Sequence, residues 1–203
     1  MYKLNQNIKL LLHDKILAKI LLNVFPPYIK PNHITFLRFI FTPLVFYLVY
    51  KKMLVIGLIS FILVAFTDVL DGSLARVKRQ ITVWGITYDP LADKILISGI
   101  ALILIFRNFG MLLAFIVIIL ELIIVIGATY FKYEEIIIPA TILGKIKMIL
   151  QVLSIFFLLT SLILKNHMLF IASYWFLISS IVFASIFLFK EAIKVVFGDY
   201  IQA

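Results

Sequence analysis

The chain reads Asp68-Val69-Leu70-Asp71-Gly72-Ser73-Leu74-Ala75-Arg76, runs on to Gly85, and after three further residues gives Asp89-Pro90-Leu91-Ala92-Asp93. Four of the ten carboxylates in a chain that is 64% hydrophobic fall in this stretch. Asp68, Asp71 and Ala75 follow the i, i+3, i+7 spacing of one helix face, with Gly72 and Arg76 beside them. Gly85, Asp89 and Asp93 follow i, i+4, i+8 on a second helix. Two carboxylate pairs can therefore face each other across a helix pair. Acids gathered so closely in a low-dielectric setting repel, so unless protons neutralise them the pattern calls for divalent cations. Oxygen ligands with no Cys or His nearby favour a hard ion, Mg2+ or Mn2+.

Outside this stretch the chain is dominated by apolar runs. Mean hydropathy is +1.16 and charged residues make up 14% of 203 positions. Runs of that length are too long to be wrapped in one globular core, so an all-α integral membrane protein is expected. The absence of cysteine excludes disulfide frameworks, zinc-thiolate sites and thiol chemistry. The net charge of +9 sits between apolar segments, which fits anionic lipid headgroups and argues against a nucleic-acid partner.

From Tyr2 to Phe25 apolar residues recur at Leu4, Ile8, Leu11, Leu12, Ile16, Ile20 and Leu21, while Lys3, Lys9, Lys15 and Lys19 take other faces. This pattern predicts an amphipathic helix in the membrane interface. A cleaved signal peptide fits less well, because His13, Asp14, Lys15 and Lys19 interrupt its apolar core. Residues 1–30, closed by Pro26 and Pro27, form this juxtamembrane segment and its connection; residues 31–203 form the membrane domain. Six apolar segments follow, near 34–50, 53–75, 89–106, 111–131, 146–164 and 168–189, each close to the ~20 residues that cross a bilayer. Pro43 is expected to kink the first. Asp89 is read as a helix cap with Pro90 in the first turn, or else the helix begins earlier and bends there. Placing both termini and the acidic stretch on one side leaves only Lys51, Lys52, Arg107 and Lys165 of the 19 basic residues on the other. The positive-inside bias makes the first side cytoplasmic.

Asp68, Asp71, Gly72, Ala75, Arg76, Gly85, Asp89 and Asp93, in this spacing, resemble the complete signature of the CDP-alcohol phosphotransferase (CDP-alcohol phosphatidyltransferase) family. Within it the finer resemblance is to phosphatidylglycerophosphate synthases. It is carried by Asp89-Pro90-Leu91-Ala92-Asp93-Lys94, by Pro31-Asn32-His33-Ile34-Thr35 followed by Arg38, and by Gly144-Lys145-Ile146-Lys147-Met148 with Gln151. The chain departs from that subgroup at Leu120, where an Arg is usual before the Glu, and at Met148, where a Thr is common.

The resemblance implies six transmembrane helices behind an interfacial helix, a homodimer in the cytoplasmic membrane, and phosphatidyl transfer from CDP-diacylglycerol to an alcohol with release of CMP. Asp68, Asp71, Asp89 and Asp93 would hold two divalent ions against the diphosphate. Asp93, the last acid, would be the general base that takes the acceptor proton. Gly72, Ala75, Arg76 and Gly85 would form the CDP-lipid site, with Asn32 and Thr35 as further contacts or simple helix caps. Arg38, Lys145, Lys147 and Glu121 would serve a small, phosphorylated acceptor. Lys145 and Lys147, at i, i+2, cannot share a face, so one of them points into the site. Arg38, one turn into a span, requires a phosphate or carboxylate partner, and Glu121 requires Arg38, Lys145 or a proton.

Glycerol 3-phosphate is the implied acceptor, with inositol phosphate, phosphatidylglycerol, serine or an archaeal ether-lipid counterpart as alternatives. A divalent-cation transporter is the alternative of another class. Transport would set acids along a path near the bilayer midplane, whereas these acids cluster at one edge.

Overall fold

The computed structural model describes residues 31–77, 83–133 and 141–197. The expected interfacial helix lies outside the described residues. Helices fill the described chain: α1 (Pro31–Tyr50), α2 (Leu54–Val77), α3 (Val83–Asn108), α4 (Met111–Tyr133), α5 (Ile142–Leu164) and α6 (His167–Phe197). By length and composition four stretches can cross a membrane: His33–Tyr50, Met111–Phe131, Ile142–Leu164 and His167–Lys194. Leu54–Thr67 of α2 is a shorter apolar stretch. The chain divides into two compact units, up to Gly99 and from Ile100 onward.

In the first unit α1 and α2 pack as a hairpin. Its turn closes with Lys52 in the left-handed region (φ 62), Lys52 N–H donating to Val49 and Met53 N–H to Leu48. These two bonds satisfy carbonyls that a helix end would leave bare. Buried positions of α1 fall at Thr35, Arg38, Thr42, Val45 and Val49, alternating steps of three and four residues. The opposite face exposes Phe36, Leu37, Ile40, Phe41, Leu44 and Tyr47. A helix that turns its apolar side outward and its Thr and Arg inward is arranged for lipid, not water. Pro43 is accommodated within α1.

The structure starts α3 at Val83, so Asp89 is not its cap and Pro90 does not stand in its first turn. Pro90 there gives up its own N–H bond and crowds the carbonyl one turn back, which a membrane helix tolerates where its neighbours satisfy the freed group. The consequence is that Asp89 and Asp93 project from a helix body, one turn apart.

In the second unit α6 packs against α5 and α4. Thr141 caps α5, its Oγ1 accepting from Gly144 N–H at 3.2 Å. The helix therefore begins before Lys145, earlier than the apolar run suggested. At the other end Lys165 takes the left-handed conformation (φ 51), and Asn166 Oδ1 accepts from Met168 N–H at 2.9 Å and Leu169 N–H at 3.3 Å to open α6. Stacked Phe157 and Phe176, with ring centroids 5.2 Å apart, join α5 to α6.

Gly99 of α3 lets the Phe46 ring of α1 approach closely. A Cβ at Gly99 would lie 2.8 Å from Phe46 Cε1. Gly99→Ala is therefore expected to lower stability by about 1–3 kcal/mol through overpacking. The same change in a Phe46→Ala background should cost less than half of that, measured as melting temperature in detergent; equal losses in both backgrounds would contradict the contact.

Candidate active site

Two side chains of α1, one turn apart, reach two acids of α3, also one turn apart. Thr35 Oγ1 donates to Asp89 Oδ1 at 2.7 Å. Arg38 Nη1 donates to Asp93 Oδ1 at 2.6 Å, a charge-assisted bond between a guanidinium 1% exposed and a residue 9% exposed. Ascending positions on α1 match ascending positions on α3, so the two helices run in the same direction here. Arg38 Nε donates to Thr67 Oγ1 at 3.2 Å, and Thr67 Oγ1 donates onward to the Val64 carbonyl at 2.6 Å. Thr67 is thus the link from α2, immediately before Asp68 in the chain.

A guanidinium taken out of water is stable only with ionic partners, and the fork of Arg38 engages two elements at once. This grip holds Asp93 through one carboxylate oxygen. Asp89 is held in the same manner by a neutral hydroxyl. Thr42 Oγ1 donates to the Arg38 carbonyl at 2.8 Å, which continues the polar inner face by another turn.

Asp68, Asp71, Gly72, Ala75 and Arg76 lie on the C-terminal part of α2 and Gly85 on the first turns of α3. Their side chains, like that of Asn32, lie outside the described residues. Among the described residues no group of three or more His, Cys, Asp or Glu side chains can hold a metal ion. Asp89 and Asp93 nevertheless suit one: they are carboxylate donors one turn apart on one helix and are already oriented by neighbours.

The second unit holds a separate ionic pair. Glu121, near the middle of α4 and 8% exposed, accepts through Oε1 from Lys147 Nζ of α5. Its partner is neither Arg38 nor Lys145. Lys145 is exposed, whereas Lys147 turns inward, as two positions apart on a helix require. Gln151, one turn beyond Lys147, and Ser180 of α6 are buried beside this pair and line the same small crevice. Sequence reasoning did not single out Thr67 or Ser180, and named Gln151 only within the stretch that carries the family resemblance, without a role. The signal available for Gln151 was its i+4 spacing from Lys147.

Helices with apolar outer faces that draw an Arg and two acids inward define a membrane protein with a buried ionic site. A family model described as CDP-alcohol phosphatidyltransferase matches residues 28–187, and the chain belongs to that family. It is similar to a CDP-diacylglycerol--glycerol-3-phosphate 3-phosphatidyltransferase of Wigglesworthia glossinidia brevipalpis, 36% identical over 138 residues that cover 64% of this chain and 75% of that protein. A protein of the same name from Mycoplasma genitalium is 34% identical over 105 residues, 51% of this chain and 44% of that protein. A cardiolipin synthase (CMP-forming) / mitochondrial hydrolase fusion protein of Schizosaccharomyces pombe is 31% identical over 112 residues, 55% of this chain and 19% of that protein.

Removing one partner of a buried ion pair leaves the other uncompensated, at a cost of about 3–5 kcal/mol. Arg38→Met is expected to lower stability by that order. Arg38→Met with Asp93→Leu, which removes both charges, should be less destabilised than the sum of the single changes. Thermal unfolding in detergent measures both; strict additivity would mean that the pair is not coupled.

Proposed function

We propose that this chain transfers a phosphatidyl group from CDP-diacylglycerol to glycerol 3-phosphate, giving phosphatidylglycerophosphate and CMP. The observation that carries the reading is the pair of α3 acids gripped by α1, Asp89 by Thr35 and Asp93 by Arg38. Family membership supplies the reaction class, and the names of the relatives above support the acceptor.

In this reading Asp68, Asp71, Asp89 and Asp93 hold two divalent ions, Mg2+ or Mn2+, which when bound neutralise the diphosphate and polarise its P–O bonds. Arg76 pairs with a diphosphate oxygen, while Gly72, Ala75 and Gly85 leave room for the nucleotide. The acceptor hydroxyl oxygen bonds to the phosphorus that carries diacylglycerol. As that bond forms, the bond from this phosphorus to the CMP oxygen breaks, CMP leaves with the electron pair, and the hydroxyl proton passes to Asp93. Arg38 fixes where Asp93 stands, and Thr35 does the same for Asp89. Glu121, Lys145 and Lys147 belong to the acceptor side of the reaction.

We assign the remaining architecture on the sequence pattern: six membrane helices, an interfacial helix within residues 1–30, and both termini and the acidic set at the cytoplasmic face; a homodimer is inferred from the family alone. The basic residues supporting that orientation include Lys132, Lys190 and Lys194.

Purified protein supplied with radiolabelled CDP-diacylglycerol, Mg2+ or Mn2+ and glycerol 3-phosphate is expected to release CMP and form a phosphorylated lipid. Asp93→Asn should lower kcat by about 100-fold or more while CDP-lipid binding persists. Absence of CMP release with every acceptor tried would overturn the transferase reading. Loss of CDP-lipid binding in Asp93→Asn as severe as in Asp68→Asn would overturn the assignment of Asp93 as base.

A further inference from the structure

The Arg38 guanidinium meets Asp93 from one nitrogen to one oxygen, Nη1 to Oδ1 at 2.6 Å. A planar guanidinium beside a carboxylate commonly donates two parallel bonds instead, one to each oxygen. Arg38 is 1% exposed and Asp93 9%, so water competes little for either group and their attraction is strong. The single contact therefore calls for a restraint on the guanidinium.

Thr67 of α2 supplies one. Its hydroxyl proton goes to the Val64 carbonyl at 2.6 Å, which leaves Oγ1 facing Arg38 purely as an acceptor. Arg38 Nε donates to it at 3.2 Å. Nε adjoins the Cδ–Nε bond about which the guanidinium turns, so bonds at Nε and at Nη1 hold the plane from two edges. A doubled contact through the Nε edge is closed because Nε is already used. A doubled contact through both Nη atoms needs a turn of the plane that the Nε bond resists. Because the hydroxyl is tied to a main-chain carbonyl of α2, the restraint is anchored in the helix frame and not in another mobile side chain.

We propose that Thr67 is a positioning residue that limits Arg38 to Oδ1 of Asp93, so that the guanidinium does not cover Oδ2, the oxygen that receives the proton of the acceptor hydroxyl. The proposal rests on the transferase reading above and deepens it. Arg38 alone would both place Asp93 and quench it as a base; Thr67 separates the two effects.

The test measures CMP release by the purified full-length protein with CDP-diacylglycerol, Mg2+ and glycerol 3-phosphate. Thr67→Val, which keeps nearly the same shape and removes the acceptor, is expected to lower kcat on the order of 10-fold, with KM for both substrates within about 2-fold. The Mg2+ concentration for half-maximal rate should not move. Thr67→Ser, which keeps the hydroxyl, should hold kcat within about 3-fold of the unmodified protein. In an Arg38→Lys background the ammonium is a point donor without a fork, so Thr67→Val should cost less than about 2-fold. An equal loss from Thr67→Val in both backgrounds would overturn the proposal, since the threonine would then act without the guanidinium. So would equal losses in Thr67→Ser and Thr67→Val, a loss carried by KM, or a shifted Mg2+ requirement, which would place the effect at the neighbouring Asp68. If the Arg38→Lys protein does not fold, the comparison of serine with valine decides. Each of these results leaves the transferase reading intact. Absence of CMP release by the unmodified protein with every acceptor would overturn that reading and this proposal with it.

Discussion

A guanidinium buried to 1% exposure in a helix of membrane-spanning length sets the terms for the first unit. Arg38 has no stable place on α1 unless carboxylate and hydroxyl oxygens come to it from other helices, and Asp93 of α3 and Thr67 of α2 supply them. Three helices are thereby tied at one point. Because Thr35 engages Asp89 one turn away, the contact also fixes the register of α3 on α1. In each acid it is Oδ1 that accepts the bond from α1. These bonds hold the first unit together, and under the proposed function the same bonds position the reacting groups.

The surrounding structure is the reverse of a soluble protein's. Phe36, Ile40, Phe41 and Leu44 face outward on α1, as do Trp175, Val182 and Phe189 on α6, while Ser173, Ser180 and Glu191 of α6 lie inside. Polar interiors demand pairing, since the lipid outside offers no hydrogen bonds. Thr42, Thr160, Ser161 and Ser173 meet that demand by donating back to carbonyls of their own helices. Glu121 Oε2 and Gln151 Nε2 do not, which is what separates their crevice from ordinary polar packing.

Helix existence was legible in the sequence because apolar runs of bilayer length carry their own signal, and all six apolar segments are helical in the structure. Boundaries were less so. The stretches of lower hydropathy from Trp84 to Asp89 and at Gly144-Lys145 lie inside α3 and α5, where hydropathy alone reads connections. The acidic signature was legible as spacing, and with it the family. Partner choice was not. Arg38 was recognisable as a charge in need of an anion, yet its bond to Asp93 joins residues 55 positions apart, which no local period encodes. Glu121 posed the same problem: helical spacing separates Lys145 from Lys147 but cannot say which faces α4, and packing selects Lys147. Thr67 was passed over because an isolated hydroxyl on a helix reads as filler until a neighbour is seen, and Gln151 entered only as part of a resembling stretch, without a partner.

The dependence of the site on α1 is open to direct measurement because the chain contains no cysteine. Thr35→Cys with Asp89→Cys, treated with a short thiol-reactive crosslinker in native membranes, should crosslink rapidly, since the native side chains meet at 2.7 Å. Leu37→Cys with Asp89→Cys, from the outward face of α1, should crosslink slowly or not at all. Equal rates for the two pairs would contradict the account, because α1 would then not present its Thr35–Arg38 face to the acids of α3.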